Sequence, residues 1–184
     1  MRGFYSLAAS LIVAALATSA VHAETATVGP VVISVPEGFE RQQTQRKDGM
    51  QVTAWTKSPL GKNGKTLLQV SVYDFGAQLD QASPKDLANG SEKYLREFLN
   101  GIERRRYNFE LSPVEPVKLA GLSASRATWK GNSADVTLVG VMYCVIVRKR
   151  YVVSFHTQDL GTARTAAMRE AMKSIEAIQL SSTD

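Results

Sequence analysis

Ser154, His156 and Asp159 lie within six residues of one another in the stretch KRYVVSFHTQD, and they are the side chains of this 184-residue sequence that come nearest to hydrolytic chemistry. His156 would serve as a general base on water or on Ser154 if Asp159 held the imidazole in the correct tautomer. Alternation along an extended segment puts Val152, Ser154 and His156 on one face and Tyr151, Val153, Phe155 and Thr157 on the other. Two residues along one face of a strand separate Cβ atoms by about 7 Å. A nucleophilic serine also needs an exposed elbow and oxyanion donors, and the sequence contains no GxSxG pattern. No residue is therefore assigned as catalytic. The plainer expectation for His156 is a strand-end side chain, partly wet, bonded to a backbone carbonyl or to Asp159.

Metal and phosphate chemistry find less support. Cys144 is the single cysteine, which excludes an intrachain disulfide, a CxxC pair and a cysteine-rich metal site. Its apolar neighbours in MYCVIV point to a buried thiol. Once residues 1–23, with His22, are removed, a transition-metal site would have only His156, Cys144 and scattered acids such as Asp74, Asp80, Asp86 and Asp159 to draw on. GKNGK, residues 61–65, lacks the GxxxxGK[ST] spacing and reads as a hairpin turn. No metal and no cofactor are expected.

Charge offers a second kind of site. Arg104, Arg105 and Arg106 form one basic cluster and Arg148, Lys149 and Arg150 another, in a chain of formal net charge +5. If the two met in space, their field would draw an anionic surface or an acidic envelope protein. Apart, they are a solvated helix-to-strand connection and a solvated hairpin tip. No nucleic-acid recognition motif accompanies them.

These residues must be positioned by elements that the sequence also marks. Residues 1–23 carry Arg2, an apolar run and small residues before Ala23, the parts of a secretory signal peptide. The apolar core is shorter than the roughly 20 residues that a membrane-spanning helix needs, so periplasmic or secreted location follows, with no transmembrane segment after cleavage. Residues 24–30 are expected as a flexible leader and 31–181 as one α+β domain. VVISVPEGF, MQVTAWTK and TLLQVSVYDF read as strands, the last two joined across a glycine-rich loop.

Ser83-Pro84-Lys85-Asp86 then opens a helix, with serine at the N-cap and an acid three residues on. Leu87, Ser91, Tyr94, Leu95, Phe98 and Leu99 share its inner side, and Gly101 is the expected stop. A short strand at residues 107–111 follows. Pro113 and Pro116 make the next piece an edge or a connection, residues 122–130 form a strand, and residues 131–133 form a turn. A long hairpin with arms at residues 136–147 and 151–157 is apolar on both faces, which places it inside a covered sheet. ARTAAMREAMKSIEAI closes the chain as an amphipathic helix. Two helices and a mainly antiparallel sheet of six or seven strands result.

The order of VVISVPEGF, the hairpin strands, the helix ending in YLREFL, the connection VEPVKLAGLSASRATW, the hairpin YCVIVRKRYVVSFHT and the helix AMREAMKSIEAI resembles the PsbP/Mog1-like superfamily, in particular its small exported bacterial members. That resemblance implies an α/β/α sandwich around a central antiparallel sheet and an accessory or interaction role without a catalytic set. The expected function is a non-catalytic exported accessory or binding protein of the cell envelope. The rivals are a hydrolase or transferase using His156 and a small-ligand carrier with an apolar pocket between the closing helix and the sheet.

Overall fold

Apolar side chains on both faces of residues 136–147 require cover on both sides, and the computed structural model supplies it. It describes residues 24–47, 49–58, 65–161 and 165–182. The signal-peptide reading of residues 1–23 and the loop at 59–64 lie outside the described residues.

The chain runs β1 (Glu24–Val28), β2 (Val31–Val35), β3 (Glu40–Arg41), β4 (Gln45–Lys47), β5 (Met50–Lys57), β6 (Thr66–Asp74), a 3-10 turn (Gly76–Leu79) and α1 (Pro84–Glu103). It continues through β7 (Tyr107–Leu111), β8 (Glu115–Leu119), β9 (Leu122–Ser133), β10 (Val136–Val147), β11 (Tyr151–Leu160), α2 (Ala166–Glu176) and β12 (Gln179–Leu180). Among the described residues the central sheet is antiparallel, in the order β3-β5-β6-β11-β10-β9-β7, with β4 on β5 and β8 on β9. A smaller sheet, β1-β2-β12, joins α2 on one side of it. Helix α1 covers part of the other side. This is the α+β class expected from the alternating and helical periods, in the α/β/α arrangement that the resemblance implies.

Each face of β10 feeds its own core. Val141, Tyr143, Val145 and Val147 pack with Phe155, Trp55, Met168 and Ile175 on the α2 side. Leu138, Met142, Cys144 and Ile146 pack with Leu95, Leu99 and Trp129 on the α1 side. The serine cap of α1 is present: Ser83 Oγ accepts from Asp86 N–H at 3.2 Å, and the Asp86 carboxylate accepts from Ser83 N–H at 3.0 Å. About two turns into the helix, the Ser91 and Ser125 hydroxyls meet at 2.8 Å and tie α1 to β9.

Four expectations change. Residues 24–28 are not a flexible leader; they form β1, because Ala26 and Val28 bury themselves while Gly29, at φ +54°, turns the chain back onto β2. Residues 131–133 are not a turn; β9 runs on to Ser133 and the chain reverses at Ala134 and Asp135, since Gly131, Asn132 and Ser133 pair with Leu138, Thr137 and Val136 of β10. The sheet gains the short edge strands β3 and β4, and β12 appears after α2, all too brief for alternation to reveal. Strand β11 extends to Leu160 rather than ending at Thr157, which decides the fate of Asp159.

Candidate functional site

Register builds the site. His156 lies opposite Gln69 on β6 and Met142 on β10, and Ser154 lies opposite Ser71 and Cys144. These residues and Gln158 share the sheet face that α1 approaches. Helix α1 packs over β9 and β10 and only reaches the margin of β11. The β5-β6 end of that face is left as a groove of about 480 Å³, floored by Gln69, Ser71, Ser154 and His156 and walled by Phe98, Ile102, Arg105 and Arg106.

His156 is not the partly wet strand-end residue expected from its polar neighbours. It is only 6% exposed. Its Nε2 accepts a hydrogen bond from Trp129 Nε1 at 3.3 Å, which fixes the tautomer with the proton on Nδ1. Trp129 itself contacts Phe109, stacked at 6.0 Å, and the Arg106 guanidinium, 5.8 Å from the indole centre. Burial, and then the positive charge of Arg106, push the imidazole pKa down to about 4. The ring is neutral at physiological pH, with its basic nitrogen already engaged. Gly140 makes this possible: a Cβ there would sit 2.3 Å from the Trp129 ring.

Asp159 does not orient His156. Three residues separate them, so the extended strand turns their side chains to opposite faces. The Asp159 carboxylate accepts from Thr66 Oγ1 at 2.8 Å and from Leu160 N–H at 2.7 Å, and it also accepts from Thr165 Oγ1. Thr165 in turn caps α2 by accepting from Met168 N–H at 3.2 Å. Asp159 thus fastens the closing helix to the sheet. Ser154 shares the His156 face but is 2% exposed in the middle of a strand, without an elbow. The base, nucleophile and orienter of the hydrolase reading are therefore not assembled.

The two basic clusters do not meet. Arg106 stands beside Gly131, which pairs with Leu138 near the start of β10. Arg148, Lys149 and Arg150 lie beyond Val147 at the other end of that strand. Nine residues of strand correspond to about 30 Å. At the tip, Arg150 grips the Asp74 carboxylate through bonds of 2.8 and 2.7 Å, holding that carboxyl down at about 2 together with the Gly76 N–H. Lys149 Nζ donates to Asp80 carbonyl at 3.3 Å, and Arg148 donates to the Ser181 carbonyl. This cluster fastens the hairpin to its neighbours.

The first cluster is differently placed. Arg104 caps the C-terminus of α1, where cations oppose the negative end of the helix dipole. Arg105 is exposed and Arg106 half-buried, both bordering the groove. Arg106 Nη1 donates to the Arg105 carbonyl at 2.9 Å, while its Nε is buried without a partner. Among the described residues neither guanidinium makes an ion pair.

Sequence reasoning missed Trp129, Gln69, Ser71 and Gln158 as parts of a site. The signal was present in the polar positions that alternate with Leu68, Val70 and Val72 along β6, but only the pairing of β6 with β11 turns them into one floor with His156. Cys144 is buried as expected, and burial pushes its thiol up to about 12, so it is an inert core residue. Among the described residues no group of three or more His, Cys, Asp or Glu is arranged to hold a metal ion.

No family model and no curated protein matches the sequence. Solved structures do match. LpqN, involved in cell envelope biogenesis of Mycobacterium tuberculosis, aligns with a TM-score of 0.55 at 14% identity, over 82% of this chain and 82% of that one. The cyanobacterial PsbP of Synechocystis sp. PCC 6803 gives 0.56 at 11% identity, over 90% and 96%. The Saccharomyces cerevisiae Ran-binding protein Mog1p gives 0.52 at 9% identity, over 86% and 96%. Likeness at these identities carries the fold alone: the chain is an α+β sandwich of the kind found in PsbP and Mog1 proteins.

Proposed function

We propose that this chain is a non-catalytic exported accessory or binding protein of the cell envelope, whose partner docks at the C-terminal end of α1. One observation carries the reading. The single described imidazole is neutral, buried and spent as an acceptor for Trp129, while Arg105 and Arg106 at the groove have no carboxylate partner among the described residues. Such a surface is built to hold an anionic group and lacks the means to turn it over. The signal-like residues 1–23 support an envelope location. Among proteins of similar fold, one is described as involved in cell envelope biogenesis and another as Ran-binding, which supports an interaction role.

The test is crosslinked affinity purification from the native periplasm with wild type, Arg105→Glu and Lys149→Glu. An envelope protein lost with Arg105→Glu and kept with Lys149→Glu is the expected result, because Arg105 is exposed beside the groove and Lys149 sits at the distant tip. Identical capture by all three proteins would overturn the reading.

A further inference from the structure

The groove has two chemically different ends. Helix α1 runs from the level of Ser125 and Ser154, where Ser91 touches the sheet, toward Gly131 and Leu138, where Arg106 lies. Its C-terminal end therefore brings Arg105 and Arg106 to the Gln158 side of the groove. At the other end Val52 lies opposite Ser71, Met50 lies two pairs further along β5, opposite Tyr73, and both line the groove together with Phe98 of the helix. Between the ends the floor is neutral, with the hydroxyls of Ser71 and Ser154, the amides of Gln69 and Gln158 and the uncharged imidazole of His156.

Three features converge on one kind of ligand. The positive end is unmatched, since Arg105 and Arg106 lack ion pairs among the described residues and Arg106 Nε is buried without an acceptor. Glu97, the one carboxylate on the wall, already faces Lys93 at 4.0 Å. The Arg106 guanidinium lies 5.8 Å from the Trp129 ring centre, a cation–π contact that keeps its charge at this end of the groove. The apolar end supplies area but no polar anchor, and a volume of about 480 Å³ falls in the range of small-molecule sites.

Resting on the binding reading above, we propose that the groove takes a single-chain carboxylate amphiphile. Its carboxylate bonds to Arg105 and Arg106, and its chain lies along Met50, Val52 and Phe98. A free anion would use only the first half of the site and a neutral chain only the second. Charge complementarity and the apolar strip together select a molecule with both.

The experiment titrates purified protein with decanoate below its micelle concentration, with decanol and with inorganic phosphate, read by calorimetry and amide NMR shifts. Decanoate is expected to bind with shifts at Gln69, Ser71, Gln158 and Arg106, and decanol and phosphate at least about tenfold more weakly. Arg106→Gln should weaken decanoate by about tenfold and leave decanol unchanged, while Val52→Glu should weaken both. Circular dichroism checks that Arg106→Gln is folded; if it is not, Arg105→Gln, at an exposed position, carries the same comparison. Equal affinity for decanoate and decanol, phosphate binding as tight as decanoate, shifts confined to another surface, or no binding at all would overturn the proposal. Partner capture that survives loss of decanoate binding removes this inference alone. Decanoate binding without partner capture removes the protein-partner reading alone.

Discussion

Trp129 donates its indole N–H to Nε2 of His156 across 3.3 Å, joining β9 to β11 over the intervening strand β10. The two rings lie 5.7 Å apart, and the space above β10 that they share exists because residue 140 is glycine. The hydrogen bond fixes the tautomer of the histidine, and burial beside the Arg106 charge keeps its ring neutral.

Stability should respond to pH through this histidine. Its folded pKa of about 4 lies below the unfolded value of 6.5, so the unfolded chain takes up the proton first as pH falls. The contribution is complete above pH 6.5, declines between 6.5 and 4, and is exhausted below 4. A shift of that size corresponds to a loss on the order of 3 kcal/mol. Urea unfolding at pH 7 and pH 4.5 should show a pH-dependent difference between wild type and His156→Gln, with the wild type losing more on acidification. The imidazole Cε1 proton, followed by NMR, should show no titration step near 6.5.

Gly140→Ala should destabilise the fold by about 3 kcal/mol, at the upper end of ordinary overpacking costs. The added methyl would fall 2.3 Å from the indole, within a sheet that cannot shift without disturbing both cores. Combining it with Trp129→Leu should cost less than the sum of the two single changes, since removing the ring removes the collision. Additive denaturation midpoints would count against the contact.

Asp159 offers a test of its place on the opposite face. Asp159→Ala leaves the Thr66 and Thr165 hydroxyls without their acceptor and should cost at least about 2 kcal/mol. Hydrogen exchange should quicken in the first turn of α2, which Thr165 caps. The His156 titration should be unmoved in Asp159→Asn. A change of a pKa unit or more would restore contact between the two residues.

The hairpin tip stores strain. Arg148 and Lys149 both sit in the left-handed region, at φ +53° and +49°, where a side chain costs about 1 kcal/mol. Lys149→Gly should therefore raise stability by up to about 1 kcal/mol in denaturant titration. An equal or lower midpoint would mean that the Lys149 bond to Asp80 outweighs the relief.

Local signals account for most of the elements. The Ser83 to Asp86 pattern carries a complete capping box because both bonds are made within four residues. The arms of the β10-β11 hairpin and the burial of Cys144 follow from alternation and composition nearby in the chain. Where the reading failed, the deciding contact was remote or the segment short. Strand β1 is held by pairing with β2, β12 by pairing with β2 from the far end of the chain, and the last residues of β9 by partners across the sheet.

The candidate site divides along the same line. Sequence alone determined which residues had the chemistry: one imidazole beyond the signal-like residues 1–23, two arginine-rich clusters, one thiol and no catalytic motif. It also determined the periods that put Ser154 and His156 on one face. Tertiary structure decided that Asp159 faces away, that Trp129 occupies the imidazole, that the basic clusters are at opposite ends of β10, and that α1 stops short of β5 and β6. The physical reason is range. A side chain's face follows from the alternation of its own strand, but its partners follow from the register of strands far apart in sequence, such as Gln69 against His156, which only the folded sheet fixes.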